Sequence, residues 1–336
     1  MFAIKTDEEF NFLTIEVFKH QYENNAIYKR YVQLLNTDSD AIKHYTQIPC
    51  LPISFFKTQE VVSIFPNQTT RIQQQTSIAS ASEQEIIFIS SGTTGQTTSK
   101  HLVTDIELYK QSFIKGFELF YGEPHNYCIL ALLPNYLERS GSSLVYMFDA
   151  LIKQSQHPLS GFYLKNLTEL KQTIELLKVT KTKTLLLGVT YALLNLAEID
   201  IELNDNFIVM ETGGMKGNRP EMLKEELHKT LKEKFKINAI HSEYGMTELL
   251  SQAYSYGNGV FNCPPWMRVL VRDVNDPFTY KQNSKTGGIN VIDLANLNSC
   301  SFIETQDLGK INTNNSFEIM GRFDNSDVRG CNQLVI

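Results

Sequence analysis

Three short apolar segments of this sequence each run directly into a loop that contains glycine. They are EIIFI before SSGTTGQTTSK (85–100), FIVM before ETGG (207–214) and INAI before HSEYGMTE (237–248). Helical patterns follow the first two loops. Strands and helices that alternate in this way predict an α/β fold, in which the loops at the carboxyl ends of the strands gather at one edge of the sheet. We therefore expect the three loops to share one cleft.

The helices after the first two loops have recognisable starts. Thr104 and Glu107 have the spacing of a capping box, and they precede an apolar stripe that predicts a helix. Pro220 is expected to open the second helix, whose apolar face spans 222–235. The loop 90–100 is therefore predicted to connect a strand directly to a helix.

The whole chain divides into four regions by sequence texture. Residues 1–75 combine an amphipathic helical pattern (8–34) with short extended segments, which predicts a wrapping N-terminal layer. Residues 76–260 hold the alternating pattern and are predicted to form the α/β core. Short β-like runs separated by Asn, Asp and Gly turns predict a β-rich annex over 261–321. The last residues, 322–336, are expected to form a hinge-like tail.

Composition and charge exclude several classes of protein. A net charge of −6 provides no basic excess for binding nucleic acid, so no nucleic-acid partner is expected. The most apolar segment, 184–197, is shorter than the roughly 20 apolar residues that a membrane span needs. The acidic N-terminus does not resemble a secretory signal. The 5 cysteines include no CxxC pair that would suggest a zinc site or a disulfide framework. We therefore expect a cytoplasmic protein without a membrane span.

The loop 90–100 has the composition of an anion-binding site. Its small residues let backbone amides approach a phosphate closely, and the hydroxyl groups and Lys100 add hydrogen-bond donors. It is not a Walker A loop, because Ser99 stands where that motif requires a glycine before the lysine. The same composition also suits an ordinary solvated loop. Composition alone therefore leaves both interpretations open.

The order of the residues resembles the ANL superfamily of adenylate-forming enzymes. SSGTTG (90–95), followed by a lysine, resembles the pyrophosphate-binding loop of that superfamily, and YGMTE (244–248) resembles its aromatic-Gly-x-Thr-Glu segment. The glycines 213–214 stand where the superfamily has its adenine-contacting glycine loop. TQDLG (305–309) resembles the segment whose aspartate holds the ribose, and GRFD (321–324) resembles the hinge. The resemblance implies an ANL-type large N-terminal α/β domain with αβ sheets and a β-rich annex.

More specifically, the chain resembles the LuxE-type acyl-protein synthetases, the fatty-acid-activating component of bacterial bioluminescence, and the related phenylacetate-CoA ligases. The resemblance rests on PISFFK (52–57), SSGTTGQTTSKH (90–101), LPNYLERSGSSLVYM (133–147) and GRFDNSDVRGC (321–331). LuxE-type proteins are short, so we expect the usual C-terminal lid domain of the superfamily to be lacking. The resemblance implies an AMP-forming acid–thiol ligase that uses ATP and Mg²⁺ to activate a carboxylic acid, most simply a fatty acid.

The resemblance also implies which residues carry the reaction. The ATP-binding residues it implies are Ser90, Ser91, Gly92, Thr93, Thr94, Gly95, Gly213, Gly214, Tyr244, Gly245, Thr247, Asp307 and Arg322. Lys100 would join the loop in holding the β- and γ-phosphates, and Thr247 would touch the α-phosphate. Glu248 would hold Mg²⁺. Tyr244 would lie against adenine, and the two carboxylate oxygens of Asp307 would accept hydrogen bonds from the ribose hydroxyls.

Two further residues complete the candidate catalytic set of Cys331, Lys100, Glu248 and Arg139. Arg139 is a lone cation in an apolar segment and is suited to pairing with a carboxylate or phosphate. Cys331, in the hinge-like tail, would accept the acyl group as a thioester, because a thiolate is a strong nucleophile and Arg329 could lower its pKa. The acyl group would then pass to a partner, such as a reductase or a carrier protein.

Each of these residues also has an ordinary structural interpretation. Glu248 could be a first-turn helix acid, Asp307 a turn residue, and Tyr244 a core aromatic. Arg139 could form a surface ion pair, and Cys331 could pack beneath the annex. Two other functions stay open as well: an acyl-CoA or aryl-CoA ligase that uses coenzyme A in place of the cysteine, and a nucleotide-binding module that does not turn over.

Overall fold

The computed structural model describes residues 1–63, 85–91, 97–134, 141–199, 201–213, 222–281 and 284–323. The helices in this part of the chain are α1 (Asp7–Asn24), α2 (Ala26–Leu34), α3 (Phe55–Thr58), α4 (Ile106–Tyr121), α5 (Ser143–Ser155), α6 (Leu167–Val179), α7 (Thr190–Ala197) and α8 (Lys224–Phe235). Short 3₁₀ turns lie at Ser39–Ala41, Tyr45–Gln47, Pro124–Asn126 and Leu294–Asn296. None of the helices in these ranges is both long enough and apolar enough to cross a membrane.

The strands belong to three sheets. They are β1 (Leu51–Pro52), β2 (Ile86–Ile89), β3 (Lys100–Val103), β4 (Cys128–Leu132), β5 (Gly161–Phe162), β6 (Thr184–Val189), β7 (Phe207–Thr212), β8 (His241–Tyr244), β9 (Ala253–Ser255), β10 (Val260–Phe261), β11 (Met267–Arg272), β12 (Gly287–Asp293), β13 (Phe302–Ile311) and β14 (Phe317–Arg322). The largely parallel sheet has the order β5-β4-β6-β7-β8-β9, and only β9 runs antiparallel to its neighbour. Its strands β4 and β6 are buried along their whole length, as is usual for parallel strands. The predicted α/β fold class is confirmed.

The second large sheet is antiparallel and corresponds to the predicted β-rich annex. Its order is β10-β14-β13-β12-β11, and β1 from the N-terminal layer adds to β13 in parallel. The layer is also tied to the annex by Gln21, whose side-chain amide donates to the Asn296 carbonyl (2.9 Å) and accepts from the Ser301 N–H (3.0 Å). The buried ring of Tyr28 stacks on Phe302 at 5.8 Å. The proposed boundaries between the four regions stay a prediction.

The loop 90–100 does not connect a strand to a helix, contrary to our prediction. β2 and β3 pair antiparallel with each other in a hairpin outside the parallel sheet, and Lys100 is already the first residue of β3. The prediction missed β3 because the strand has only four residues, and its buried position 101 is a polar histidine beside the exposed Lys100. α4 begins after this strand, and its N-cap is Asp105 rather than Thr104. The apolar run is therefore the first strand of the hairpin, and β3 lies between the loop and the helix.

Two other boundaries also differ from the sequence predictions. The helical pattern 8–34 is broken at Asn25, whose side chain accepts from the Tyr28 N–H (2.9 Å) and donates to the Ser299 carbonyl (2.9 Å). A buried amide that caps α2 and reaches the annex outweighs continuation of the helix. The strand expected at 237–240 lies at His241–Tyr244, so part of the third predicted loop is strand.

The start of the second predicted helix also needs correction. Pro220 lies outside the described residues, and α8 starts at Lys224. Leu223, which was assigned to the apolar face, is 76% exposed and lies outside the helix. Leu227 and Leu231 are buried as predicted. The periodic apolar face of α8 is therefore shorter than its sequence pattern suggested.

Candidate active site

Asp307 lies at the centre of a polar cluster that joins two sheets. It is 6% exposed, and its two carboxylate oxygens have separate partners. The Tyr244 hydroxyl, at the end of β8, donates to Oδ2 (2.7 Å), and Arg322 Nε, opposite on β14, donates to Oδ1 (3.0 Å). Because a carboxylate offers about four lone-pair sites, each oxygen can accept one further donor. The carboxylate therefore has acceptor sites left for two further donors.

The ring of Tyr244 packs in the core beneath this cluster. It meets Phe317 edge-on at 5.4 Å and lies tilted against Phe261 at 5.8 Å. Burial and the neighbouring Asp307 charge raise the pKa of Tyr244 well above its usual value, so its hydroxyl stays protonated as a donor. Stacking of this ring on adenine stays a prediction.

Removing the Tyr244 hydroxyl isolates the contribution of this hydrogen bond. We expect Tyr244→Phe to lower the free energy of unfolding by about 1.5–3 kcal/mol, because a buried hydrogen bond to a charged acceptor is lost. Tyr256→Phe is the matched control: the Tyr256 hydroxyl donates to a neutral carbonyl, that of Phe120, at an exposed position. Its loss is expected to cost about 1 kcal/mol or less. Equal losses in urea unfolding of the two variants would contradict this assignment.

Glu248 follows β8 and is a buried carboxylate. It is 5% exposed, and burial raises its pKa. Other neighbours lower the pKa, but by less than burial raises it. They are the Ser99 hydroxyl and a backbone N–H, which donate hydrogen bonds, and the positive charges of Arg322 and Lys57. The ionised carboxylate is therefore poorly solvated in this position, and a cation beside it would be stabilising.

The described residues fit a magnesium ion carried by a nucleotide rather than one held by a protein cage. Within them, no group of three or more His, Cys, Asp or Glu side chains could hold a metal ion. Mg²⁺ commonly binds one or two carboxylates together with the phosphate oxygens of its substrate. Glu248, with its buried and poorly solvated carboxylate, fits the role of such a ligand.

The ends of β7 and β8 adjoin each other beside Glu248. Thr212 pairs with Glu243 in the sheet register, and the Thr212 hydroxyl donates to the Glu243 carboxylate. The chain then turns over this carboxylate at Gly245, where any side chain would collide with Glu243. Gly213, in the left-handed region at φ 63°, presents its carbonyl to the Thr190 hydroxyl at 2.6 Å. Glycine is therefore favoured at both strand ends, by the close approach of the Glu243 carboxylate at Gly245 and by the left-handed backbone at Gly213.

The β2–β3 hairpin reaches the same place from the other side. Ser90 and Ser99 close the base of its turn: the Ser90 N–H donates to the Ser99 carbonyl (3.0 Å), and the Ser99 N–H donates to the Ser90 hydroxyl (2.8 Å). His101, which the sequence did not single out, contacts the Thr247 carbonyl at 2.8 Å. Together with the Ser99 contact to Glu248, this places the hairpin against the YGMTE segment.

The remaining predicted site residues divide into exposed and undescribed groups. Ser91 and Lys100 are exposed at the hairpin, where a soluble ligand can reach them. The residues that lie outside the described part of the chain are Gly92, Thr93, Thr94, Gly95, Arg139, Gly214 and Cys331. Direct contacts therefore join the base of the first loop to the Thr247–Glu248 segment, and the end of β7 to Glu243. A single cleft shared by all three loops stays a prediction. The roles of the undescribed residues stay predictions.

Solved structures with the same fold are adenylate-forming enzymes. ATP-bound MatB from Rhodopseudomonas palustris matches with a TM-score of 0.53 at 16% identity, over 70% of this chain and 47% of MatB. An open form of 2-hydroxyisobutyryl-CoA ligase with 2-HIB-AMP and CoA matches with a TM-score of 0.66 at 10% identity, over 95% of this chain and 70% of the ligase. The chain thus has the fold of the ANL superfamily, although its match to MatB spans only 47% of that enzyme.

The sequence itself identifies a particular branch of that superfamily. No curated protein sequence matches the chain. The family model "Acyl-protein synthetase, LuxE" matches residues 4–336, which is nearly the whole chain. The protein therefore belongs to the LuxE acyl-protein synthetase family.

Proposed function

We propose that this protein activates a carboxylic acid with ATP to form an acyl-adenylate. The observation that supports this best is the contact between His101 and the Thr247 carbonyl at 2.8 Å, which brings the glycine-rich hairpin beside the buried carboxylate of Glu248. A loop suited to phosphate and a carboxylate suited to magnesium are the two parts that a nucleotide triphosphate site needs. Asp307, across the same strand ends, supplies acceptors for a ribose.

The reaction demands mainly positioning and charge neutralisation. An oxygen of the substrate carboxylate attacks the α-phosphorus and forms a new O–P bond. The bond from the α-phosphorus to the bridging oxygen breaks, and pyrophosphate leaves with the electron pair. In this proposal the loop 90–95 and Lys100 bind the β- and γ-phosphates, Thr247 contacts the α-phosphate and Asp307 orients the ribose. Mg²⁺ bound at Glu248 would neutralise phosphate charge.

The second half of the proposed reaction transfers the acyl group to Cys331. The Cys331 thiolate attacks the carbonyl carbon of the adenylate, a thioester forms and AMP leaves with the electron pair of the broken bond. The acyl group then passes from the thioester to a reductase or carrier protein. The family assignment favours a fatty acid as the substrate and the cytoplasm as the place of the reaction. The rival acceptor is coenzyme A, because the structurally similar 2-hydroxyisobutyryl-CoA ligase was solved with an acyl-adenylate and CoA.

Exchange of radiolabelled pyrophosphate into ATP tests the first half-reaction. A panel of fatty and aryl acids is added one at a time, with Mg²⁺ present. We expect exchange that requires at least one acid, since the reverse reaction needs an adenylate. Binding of ATP without exchange for any acid would instead indicate a nucleotide-binding module and would contradict the proposal.

The acyl acceptor is tested by labelling the protein with radioactive acid and ATP. We expect thioester label on the parent and none on Cys331→Ala, while pyrophosphate exchange continues in the variant. Cys263→Ala is the matched control, because Cys263 is half-buried and burial raises its pKa to about 12, so that little of the nucleophilic thiolate is present at neutral pH. Thioester label retained by Cys331→Ala would show a different acceptor. Product that forms only with added coenzyme A would identify a CoA ligase.

A further inference from the structure

We propose that His101 is a positioning residue that fixes the Thr247–Glu248 segment against the phosphate-binding hairpin. Its ring bridges the Thr247 carbonyl (2.8 Å) and the Ser299 hydroxyl (2.8 Å), and the residue is 1% exposed. The inference rests on the proposed function, which it deepens by adding a residue that touches neither nucleotide nor acid. In this inference, β3 aligns Glu248, the proposed metal ligand, with the proposed phosphate-binding loop.

The tautomer of His101 follows from its two partners. A carbonyl oxygen can only accept, so Nδ1 must carry the proton and donate to Thr247. Burial lowers the pKa of His101 to about 4, so the ring is neutral at neutral pH. Nε2 is therefore unprotonated and accepts from the Ser299 hydroxyl. The hydrogen bonds run in one direction, from Ser299 through the ring to the Thr247 carbonyl.

The far end of this bridge is firmly held. The Ser299 carbonyl accepts from the side chains of Asn25 (2.9 Å) and Ser63 (2.9 Å), both from the N-terminal layer. In the same turn, the Asn296 amide donates to the Glu248 carbonyl at 2.7 Å. The turn 294–299 therefore restrains the backbone of Thr247 through His101 and that of Glu248 through Asn296.

The alternation of β3 makes this contact relevant to catalysis. Ser99 and His101 are buried on the side of the Thr247–Glu248 segment, and Lys100 between them points to solvent. Any shift of the hairpin moves these contacts together. Mutating a residue that holds a metal ligand in place typically lowers metal affinity or activity 10- to 100-fold. Loss of the His101 contact should therefore affect the magnesium-dependent step more than folding.

Two amide variants separate the two ring contacts. His101→Asn places an amide N–H near the position of Nδ1 and can keep the bond to Thr247, whereas His101→Gln reaches the position of Nε2 and can keep only the contact to Ser299. We expect His101→Gln to lower kcat for acid-dependent pyrophosphate release about 10- to 100-fold and to raise the Mg²⁺ concentration needed for half-maximal rate. His101→Asn should keep most of the rate, with a melting temperature similar to that of His101→Gln.

Two outcomes would overturn the inference. One is an equal loss of rate in both variants, and the other is a loss that simply follows their melting temperatures. If the parent shows no turnover with any acid, Mg²⁺-dependent binding of ATP replaces the rate: His101→Gln should weaken it about tenfold or more, and unchanged binding would reject the inference.

The ring tautomer provides a readout that does not depend on catalysis. Nitrogen NMR of the parent should show His101 with a protonated Nδ1 and a bare Nε2 at neutral pH. The opposite tautomer would overturn the inference even in an active enzyme. The parent could show the expected tautomer and the expected difference in ATP binding but no acid-dependent turnover. That result would contradict the proposed function and leave the inference about His101 standing.

Discussion

Replacing Glu248 by glutamine is expected to reduce acid-dependent pyrophosphate release about 100- to 1,000-fold, the loss typical when one preorganised charge-stabilising group is removed. Glutamine keeps the size of the side chain and can still accept from the Ser99 hydroxyl, but it removes the negative charge that would bind Mg²⁺. Kinetics at saturating ATP, with Mg²⁺ varied, provide the measurement. An unchanged rate would contradict the metal-binding role.

The same substitution is expected to stabilise the fold at neutral pH. Burial raises the pKa of Glu248 in the folded protein above its unfolded value. The folded state thus holds the proton more tightly, and the parent loses stability as the pH rises through the folded pKa. Without the charge, Glu248→Gln should be about 1 kcal/mol more stable at pH 7. The difference should vanish below the unfolded pKa, where both states of the parent are protonated.

Glu211 provides a control of opposite sign for this stability measurement. Desolvation raises its pKa, but Lys224 at 2.8 Å and the hydrogen bond with His228 outweigh that effect and lower the pKa to about 2. The ionised form therefore favours folding above the unfolded pKa, and this stability is lost as the pH falls. Glu211→Gln should be less stable than the parent at pH 7 in urea unfolding without Mg²⁺. A loss of stability in both variants would reject the account of Glu248.

Replacing Asp293 by alanine is expected to cost about 3–5 kcal/mol of unfolding free energy. Its fully buried carboxylate accepts from the N–H groups of Leu250 (2.8 Å), Ser251 (2.9 Å) and Ala295 (3.1 Å), and from the Ser251 hydroxyl (2.5 Å). Alanine leaves these donors buried without the acceptor, and the Ser251 hydroxyl also receives the Trp266 ring N–H (3.0 Å).

Asp293→Asn is the matched control for that effect. It keeps the shape and one accepting oxygen, but its amide nitrogen turns a donor toward buried donors. In urea unfolding, we expect the unfolding free energy of Asp293→Asn to lie between those of the parent and Asp293→Ala. Because the carboxylate holds Leu250 and Ser251, two and three residues after Glu248, pyrophosphate release should fall in both variants. A loss below about 1 kcal/mol for alanine would contradict this description of the carboxylate.

The fold class could be predicted because the central strands are largely apolar and alternate with helical patterns. β4 and β6 are buried along their whole length, and β7 is buried except at Ile208, as is usual for strands of a parallel sheet. β3 and β8 were missed or displaced for the opposite reason. Both contain buried polar residues, His101 in β3 and Glu243 in β8, whose partners lie far away in the chain. Patterns based on polarity fail where tertiary hydrogen bonds bury polar groups.

The candidate site was predictable only where a motif carried it. The segments around Glu248 and Asp307 were identified from the order of their residues. Both carboxylates are buried, Glu248 in the segment after β8 and Asp307 within β13. His101 could not be found in that way, because its partner Thr247 lies in a separate motif and the contact arises from how the hairpin docks. A buried histidine in an alternating strand was the one available signal.

Oxygen transfer from the acid to AMP tests the central claim most directly. The acid is supplied with both carboxylate oxygens replaced by a heavy isotope, and the AMP released after acyl transfer is analysed by mass spectrometry. Attack of the carboxylate on the α-phosphorus predicts AMP that carries one heavy oxygen. Unlabelled AMP, or label found in inorganic phosphate beside ADP, would show that no acyl-adenylate forms.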